Sequence, residues 1–356
     1  MTYSKLNIAL LDPYIPGYQP DRTEKVIKLN TNENPYPPSP KVKEALSALD
    51  YDQLRLYPKP DSDALREKLA EVYGLSTNQI FCGNGCDEII GILFRTFVEA
   101  NEAVLLAYPT YSYYRTQAEI HDIIYKMIDT DDQFRIQMND YLQFPSKMTI
   151  LCNPNAPTSM MLDAAKIERF LERYRGLLVV DETYIDFAGT GASIYRLIER
   201  YENLIVLRTL SKSFSLCGIR VGYAFANPNL IRELNKVKDS YNLNAMSQAA
   251  AIAALSDLDH MAANVETILR DRSWLRDELA ALGFDVLPSQ TNFLFARHRR
   301  MTGSGIYQAL AERRIFVRYF DERRISNFLR ITVGTHEEIT ELLEALREIL
   351  GPEAGR

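Results

Sequence analysis

The sequence predicts an α/β protein in which a large domain, built on a mostly parallel sheet flanked by helices, is followed by a smaller α+β domain. The first observation is a series of short apolar runs, most of them followed by turn residues or a helical stretch. This alternation is typical of parallel strands covered by helices on both faces. The second observation is a change of pattern near the C-terminus, where strand-like stretches surround short helical ones.

The elements are predicted in the following order. Helical spacing occurs at residues 40–50 and 61–73, where Asp61-Ser62-Asp63 is a start signal and Gly74 a stop signal. The proline-containing segment 54–60 between these helices is expected to stay extended. Strands are predicted at 103–107, 123–126, 148–152, 177–180, 204–207 and 221–226. Two long helical stretches at 228–255 and 259–282 precede strands at 291–296, 315–319 and 328–332 and helices at 304–313 and 336–349.

Length and composition limit the number of domains. A chain of 356 residues with 46% hydrophobic residues can bury a large core, and it is long for one domain but short for three. The change of pattern predicts an N-terminal arm with part of the small domain at residues 1–44, a large domain at 45–255 and the rest of the small domain at 256–356.

Several classes of function are disfavoured. The net charge of −6 is spread without a basic block, which argues against a nucleic-acid partner. The cysteines and histidines show neither a disulfide framework nor the spacing of metal ligands, so a reducing compartment and no metal are expected. No apolar run approaches the ~18 residues of a membrane span, and residues 1–6 lack a signal-peptide layout. A cytoplasmic protein is expected.

Lys212 is the main candidate for chemistry. It follows the predicted strand 204–207, so its amine is expected at the carboxyl end of the sheet, where open α/β sheets bind ligands. Asp181 ends the strand 177–180, and a carboxylate there can keep the nitrogen of a pyridine ring protonated. Alone, such an aspartate is more often a cap or turn residue. Desolvation and nearby cations are expected to lower the pKa of the Lys212 amine and make it nucleophilic toward an aldehyde.

An anion site is predicted beside this pair. Ser211 and Arg220 are candidate phosphate ligands, and residues 83–88 form a glycine turn before a helical stretch whose N-terminus offers free N–H groups. The glycine turn alone is weak evidence, because turns and caps are common. Together the lysine, the acid and the anion ligands describe a site for an anionic aldehyde cofactor, pyridoxal phosphate.

Two aromatic residues complete the local pattern. Tyr184 could hydrogen-bond the phenolate oxygen of a cofactor ring, and an aromatic of the Tyr108-Pro109-Thr110-Tyr111 segment could stack on the ring. For both, ordinary packing is the alternative.

Four segments carry a family resemblance, namely 209–214, 180–184, 152–158 and 329–335. They resemble the fold-type I, pyridoxal-phosphate-dependent aminotransferases. More narrowly, residues 16–20 and 29–35 extend the match to the histidinol-phosphate aminotransferase group over nearly the whole length.

The resemblance implies a role for each matching residue. Lys212 would form the Schiff base with the cofactor, Asp181 would pair with the ring nitrogen, Tyr184 would hold the phenolate and Tyr111 would stack on the ring. The cofactor phosphate would be held by Ser211, Arg220, the backbone of Gly85, Cys86 and Asp87, and Tyr57 from the neighbouring subunit of a homodimer. The substrate would be faced by Tyr18, Asn84, Arg318, Arg330 and Asn292.

One position departs from the family pattern. The common Asn-Pro-Asn-Asn-Pro-Thr-Gly is here Asn153-Pro154-Asn155-Ala156-Pro157-Thr158-Ser159, so the usual ring-oxygen ligand is replaced by Ala156. Either Asn155 takes over this contact through a local backbone shift, or Tyr184 acts alone.

The activity implied is transamination between histidinol phosphate and 2-oxoglutarate, giving imidazole acetol phosphate and glutamate in histidine biosynthesis. Two enzymatic alternatives share this cofactor site: an aromatic amino acid aminotransferase, and a decarboxylase of a phosphorylated amino acid. A third alternative is a cofactor-binding sensor without turnover, which normally needs an attached DNA-binding segment. Residues 1–40 are too short and too rich in proline and asparagine to form such a segment, so this alternative is disfavoured.

Overall fold

The structure is a computed structural model that describes residues 3–21 and 23–351. The ends of the predicted arm and small domain, residues 1–2 and 352–356, and Arg22 lie outside the described residues. The strands are β1 Ile27–Leu29, β2 Ile80–Gly83, β3 Ala103–Tyr108, β4 Ile124–Asp129, β5 Met148–Cys152, β6 Leu177–Asp181, β7 Leu204–Thr209, β8 Gly222–Ala226, β9 Phe284–Val286, β10 Phe293–His298, β11 Ile315–Tyr319 and β12 Leu329–Thr332. The α-helices are α1 Leu6–Ala9, α2 Pro40–Ser47, α3 Asp63–Tyr73, α4 Cys86–Phe97, α5 Tyr113–Ile120, α6 Met138–Tyr141, α7 Ala164–Leu171, α8 Pro228–Val237, α9 Ala245–Leu255, α10 Leu258–Ala281, α11 Gly303–Glu312 and α12 His336–Leu350.

A seven-stranded sheet in the order β2-β8-β7-β6-β5-β3-β4 forms the larger layer. Only β8 runs antiparallel to its neighbours there, so the predicted mostly parallel sheet is confirmed. The connection from β7 to β8 contains a single short 3-10 turn, Cys217–Ile219, and no α-helix. A chain that returns without a helical crossover pairs antiparallel, which explains the orientation of β8.

The central strands are buried on both faces. Every residue of β5, β6 and β7 is buried. Val179 packs into one apolar cluster and Val180 into another on the opposite face of the sheet. Successive side chains of a strand point to opposite faces, so both clusters are cores between the sheet and its helices. This burial explains the uninterrupted apolar runs in the sequence.

The second sheet has five strands in the order β1-β11-β12-β10-β9, with β1 parallel to β11 and the other pairs antiparallel. The arm therefore contributes a strand to the sheet made by the C-terminal part of the chain. The three-residue strands β1 and β9 were not predicted, because three residues are too few to show a period. The domain limits at residues 44 and 255 stay a prediction.

The predicted helix over 228–255 is wrong, since the structure has two helices there. α8 ends at Val237, and α9 begins after Asn244, whose side chain accepts a hydrogen bond from the backbone N–H of Ser247. An asparagine N-cap satisfies free N–H groups at a helix start, so this residue starts a new helix. The stop signal at Gly74 is confirmed, because α3 ends there with φ of 64°. No helix in the described part of the chain is long and apolar enough to cross a membrane.

The carboxyl ends of the parallel strands meet at one edge of the large sheet. Cys152 at the end of β5 pairs with Asp181 at the end of β6. Thr209 at the end of β7 pairs with Gly222, which also pairs with Gly83. The loops that follow these strands are therefore neighbours, although they are distant in sequence.

We expect Gly222→Ala to destabilise the protein. A Cβ at Gly222 would lie 2.5 Å from the backbone nitrogen of Cys86 and 2.6 Å from the carbonyl carbon of Gly85, and backbone cannot move aside as a side chain can. Overpacking of this kind costs roughly 1–3 kcal/mol. Urea unfolding followed by fluorescence measures the loss. Gly218→Ala is the matched control, because a Cβ there meets no atom within 4 Å. Equal unfolding midpoints for the two variants would contradict the tight contact.

Candidate active site

A cavity of about 280 Å³ opens at the carboxyl edge of the large sheet. Its size is near the lower end of the range of small-molecule sites. The loops after the parallel strands form one side, and the second sheet and the arm form the other. The lining residues include Asp87, Tyr111, Ala156, Asp181, Tyr184, Ser211, Lys212, Arg220, Arg318 and Arg330. The structure thus brings together most of the residues that the sequence singled out.

Asp181 lies at the floor of this cavity and is 3% exposed. One carboxylate oxygen accepts hydrogen bonds from the backbone N–H of Thr183 at 3.0 Å and its hydroxyl at 2.6 Å, and the other accepts from the Tyr114 hydroxyl at 2.7 Å. Burial raises the pKa of Asp181, whereas these donors act in the opposite direction. Tyr114 was missed, because a buried tyrosine on a helix has the sequence pattern of a core residue.

Lys212 lines the cavity. Its Nζ donates a hydrogen bond to the carbonyl oxygen of Thr31 at 3.1 Å. Burial lowers the pKa of the ammonium group, but Cys217, Tyr184 and Glu33 act in the other direction, and the net shift is upward. The predicted lowering of this pKa is therefore wrong. The sequence did not reveal that an arm residue and a carboxylate would face this lysine.

The predicted anion site lies at one end of the cavity. α4 begins at Cys86 after Gly85, which has φ of 81°. A Cβ on Gly85 would lie only 2.4 Å from Nη2 of Arg220, so the bare backbone lets the guanidinium reach the helix start. Arg220 pairs with Asp87 at 3.0 Å. Free N–H groups at a helix start and a guanidinium are both suited to a phosphate.

Hydroxyl groups extend this anion site along the lysine loop. The Thr209 hydroxyl donates to the Ser211 hydroxyl at 2.9 Å and accepts from the Ser211 backbone N–H at 3.1 Å. Both residues line the cavity. Thr209 was not predicted, although its position at the end of β7 was a usable signal.

Tyrosine rings also line the cavity, among them those of Tyr14 and Tyr111. The hydroxyl of Tyr111 donates to Asp87 at 3.2 Å, and its ring meets the rings of Tyr114 and Tyr14 edge-on, at centroid distances of 5.4 and 5.9 Å. Tyr111 lines the cavity, whereas Tyr108 does not. The strand-end aromatic available for stacking is thus Tyr111.

Two arginines from neighbouring strands of the second sheet line the same cavity. Arg318 of β11 pairs in register with Arg330 of β12. Arg330 donates to the carbonyl oxygen of Asn30 at 2.8 Å, and its Nε is buried without a partner in the described residues. Burial lowers the pKa of Arg330, and the Arg318 cation adds to this effect. Two adjacent cations with an unused buried donor favour an anionic ligand.

Three predicted residues lie outside the cavity wall but close to it. Asn155 is 1% exposed, and its amide donates to the Pro109 carbonyl at 2.9 Å and to the Thr158 hydroxyl at 2.8 Å, while Ala156 lines the cavity. The structure therefore does not support a ring-oxygen contact by Asn155. Asn292 is fully buried behind Asn32, to whose carbonyl oxygen it donates at 3.0 Å. Asn84 is exposed, and its backbone N–H donates to Glu88.

Two predicted tyrosines lie on the surface of the chain. Tyr57 is 80% exposed and stacks on Tyr241 at 4.3 Å. Tyr18 is 47% exposed and packs against Phe316 at 4.6 Å. Neither lines the cavity, although Pro16 and Gly17 next to Tyr18 do.

A buried ionic cluster supports the lysine loop from behind. The Ser213 hydroxyl donates to Asp186, which pairs with the buried Arg208. Burial raises the pKa of the nearby Glu182 to about 7. Sequence reasoning missed this cluster, because its members are distinguished only by burial. Among residues 3–21 and 23–351, no group of three His, Cys, Asp or Glu side chains could hold a metal ion.

Comparisons with known proteins agree on one family. Residues 24–346 match the family described as aminotransferase class I and II. Histidinol-phosphate aminotransferase 1 of Methylococcus capsulatus is 43% identical over 97% of this chain and 96% of that protein. The histidinol-phosphate aminotransferase of Geotalea uraniireducens is 44% identical over 96% of this chain and 98% of that protein. A crystal structure of histidinol-phosphate aminotransferase from Sinorhizobium meliloti, in complex with pyridoxal-5'-phosphate, aligns with a TM-score of 0.90 at 25% identity, covering 98% of each chain.

We expect one cysteine to react rapidly with a thiol reagent at pH 8. Cys217 is partly exposed, whereas Cys82, Cys86 and Cys152 are buried. Burial raises the pKa of the Cys82 thiol to about 12 and also raises those of Cys86 and Cys152, so little reactive thiolate forms there. Absorbance of the released reagent anion should show one fast thiol, with the others reacting only on unfolding. Cys217→Ser should remove the fast phase and the control Cys82→Ser should keep it; a fast phase in the Cys217→Ser variant would contradict this ranking.

Proposed function

Because this chain belongs to the class I and II aminotransferase family, we propose that it uses pyridoxal phosphate to transfer an amino group between histidinol phosphate and 2-oxoglutarate. The products would be imidazole acetol phosphate and glutamate. The observation that carries this proposal is that Lys212 lines one cavity together with a buried carboxylate and a pair of arginines. Full-length identity above 40% to histidinol-phosphate aminotransferases supports the choice of substrate.

The donors around the cavity fit this cofactor. Asp181, with three donors on its two oxygens, suits a protonated ring nitrogen. The start of α4, Ser211 and Arg220 suit a phosphate, and Lys212 lines the same cavity. Bound pyridoxal phosphate would supply an aldehyde that takes up the amine and a ring that withdraws electrons from the adjacent carbon.

Lys212 would carry the proton in the reaction. Its Nζ is held by the Thr31 carbonyl and can leave this acceptor on its flexible stem. Once a substrate amine has taken the place of Lys212 at the cofactor aldehyde, the free Lys212 amine would accept a proton from the substrate carbon. It would then deliver this proton to the former aldehyde carbon of the cofactor. Tyr111 would cover one face of the ring, and Tyr184 would hold the ring oxygen.

Arg318 and Arg330 would bind the anionic end of each substrate. A guanidinium group donates in a fork that fits a phosphate as well as a carboxylate, so one pair of arginines can bind histidinol phosphate in one half-reaction and glutamate in the other. The buried Nε of Arg330 is one donor that such a ligand would use.

We propose in addition that two copies form a dimer around the cofactor site. The exposed apolar residues include Tyr51, Leu54, Leu56, Tyr57, Tyr241 and Met246, all from 51–57 and 241–246, and Tyr57 stacks on Tyr241. An exposed apolar patch of this kind is typical of an interaction surface. In a symmetric dimer Tyr57 would reach the phosphate site of the partner copy.

Substrate choice is tested by comparing histidinol phosphate with phenylalanine as amino donor to 2-oxoglutarate. We expect kcat/KM for histidinol phosphate to be higher by about 100-fold or more, because a phosphate offers the two arginines more negative charge and more acceptor oxygens than the single carboxylate of phenylalanine. A preference for phenylalanine would replace the proposed substrate by an aromatic amino acid. Carbon dioxide release without transfer to 2-oxoglutarate would indicate a decarboxylase.

Lys212→Ala should lower kcat by ~10⁴-fold, because the proton carrier is lost. Lys166→Ala, on the exposed face of α7, is the matched control and should keep full activity. Retained turnover in the Lys212→Ala variant would refute the role of this lysine.

The dimer is tested by mass and by mixing two inactive variants. Sedimentation should give the mass of two chains of 40.8 kDa. Tyr57→Ala and Lys212→Ala should each be inactive at limiting cofactor, yet a co-refolded mixture should recover about a quarter of wild-type activity. Half of the dimers would be mixed, and one of the two sites in each mixed dimer would combine an intact Lys212 from one copy with an intact Tyr57 from the other. A quarter of all sites would therefore be intact. A monomer, or a mixture without recovery, would contradict the shared site.

A further inference from the structure

Asn32 is a buried polar residue of the cavity wall that makes four hydrogen bonds. It is 1% exposed and has φ of 55°, a left-handed conformation that asparagine tolerates better than most residues. Its backbone N–H donates to the Thr332 hydroxyl at 3.1 Å, and its carbonyl oxygen accepts from Asn292 at 3.0 Å. Such a conformation persists only where surrounding contacts determine it, and it is concentrated at functional sites.

The amide of Asn32 joins Thr332 to Tyr184. Its oxygen accepts from the Thr332 hydroxyl at 3.1 Å, and its nitrogen donates to the Tyr184 hydroxyl at 2.9 Å. In the reverse orientation, both the backbone N–H and the side-chain N–H of Asn32 would donate to the Thr332 hydroxyl. The hydroxyl proton of Thr332 would then lose the Asn32 amide oxygen as its acceptor. The observed orientation therefore satisfies the pair better.

This direction of donation determines what Tyr184 can do. Because the Tyr184 oxygen accepts from Asn32, its own proton is free for another acceptor, and Tyr184 lines the cavity. Burial raises the pKa of Tyr184, so it keeps that proton at neutral pH. A hydroxyl group that accepts a hydrogen bond becomes a stronger donor of its own proton, since hydrogen bonds in a chain polarise one another.

Ala156 increases the dependence on this pair. Its methyl group lines the cavity, and the amide of neighbouring Asn155 is bonded to Pro109 and Thr158 instead. The loop at 155–156 thus offers no side-chain donor to a ligand in the cavity.

We propose that Asn32 is a positioning residue that aligns the Tyr184 hydroxyl proton toward the ring oxygen of the bound cofactor and strengthens its donation. This inference rests on the proposed function, because it requires pyridoxal phosphate in the cavity. Asn32 acts through Tyr184 and does not itself touch the ring.

The test is a pH titration of the visible absorption of the cofactor-loaded protein. A donor on the ring oxygen stabilises the form with more negative charge there, so weakening the donor raises the pH midpoint. Asn32→Gly removes the amide and still accepts the left-handed backbone, and we expect a midpoint about one unit higher, equivalent to about 1.4 kcal/mol. Asn32→Asp replaces the N–H donor by an acceptor that draws the Tyr184 proton away, so its shift should be larger.

Two further variants separate alignment from general damage. In a Tyr184→Phe background, Asn32→Gly should add no shift, because the group it acts through is gone. Thr332→Ser keeps the hydroxyl that holds Asn32 and should leave the midpoint unchanged. Thermal unfolding of each loaded protein shows whether it is folded; should Asn32→Gly fail to fold, the nearly isosteric Asn32→Asp carries the test.

The outcomes distinguish the two proposals. An unchanged midpoint in folded Asn32→Gly and Asn32→Asp, or an equal shift with Phe at position 184, would overturn the role of Asn32 and leave the aminotransferase proposal intact. A wild-type protein that gives no cofactor absorption after addition of pyridoxal phosphate would overturn both.

Discussion

Four residues of the N-terminal arm, Asn30, Thr31, Asn32 and Asn34, hold the site together by bonding either to the second sheet or to the loops that follow the strands of the large sheet. The carbonyl oxygens of Asn30 and Thr31 accept from Arg330 and Lys212, at 2.8 and 3.1 Å. Asn34 donates to the carbonyl oxygen of Lys212 at 3.1 Å, and Asn32 bonds to Thr332 and Tyr184. Each such bond contributes only about 0.5–1.5 kcal/mol, but together they fix the arginine pair relative to the lysine.

The charges of the cavity follow from burial. Asp181 is buried and remains satisfied because Thr183 and Tyr114 supply three donors. Arg330 has no carboxylate partner in the described residues and spends one donor on a backbone carbonyl, which leaves its Nε free. A buried cation without a counterion favours an anionic ligand, so Arg330 and its neighbour Arg318 are suited to a phosphate or carboxylate.

Ala156 and Asn32 both affect which side chains can donate a hydrogen bond to the ring oxygen of a bound cofactor. Where the family pattern has an amide from the loop after β5, this chain has a methyl group, and the polar neighbour at 155 is used to hold the loop. On the proposed function, Tyr184 would be the contact to the ring oxygen, and its hydroxyl accepts a hydrogen bond from Asn32 of the arm. The replacement of the family's asparagine by Ala156 would then make that contact depend on Tyr184 and Asn32.

The sequence by itself determined the fold class, the cofactor and the identity of Lys212, Asp181 and Arg220 as candidates, because these depend on local patterns. A run of apolar residues ended by a polar one marks the carboxyl end of a buried strand, and all such ends meet at one edge of a parallel sheet. The sequence alone could not reveal that α8 and α9 are separate, that β8 runs antiparallel, or that the pKa of Lys212 is raised. Only the tertiary structure decided which distant residues meet: Asn32 reaches Tyr184 across 152 positions and Tyr114 reaches Asp181 across 67. Each of these partners has the sequence pattern of an ordinary polar or core residue, and its effect depends on burial and direction of donation, which no local pattern encodes.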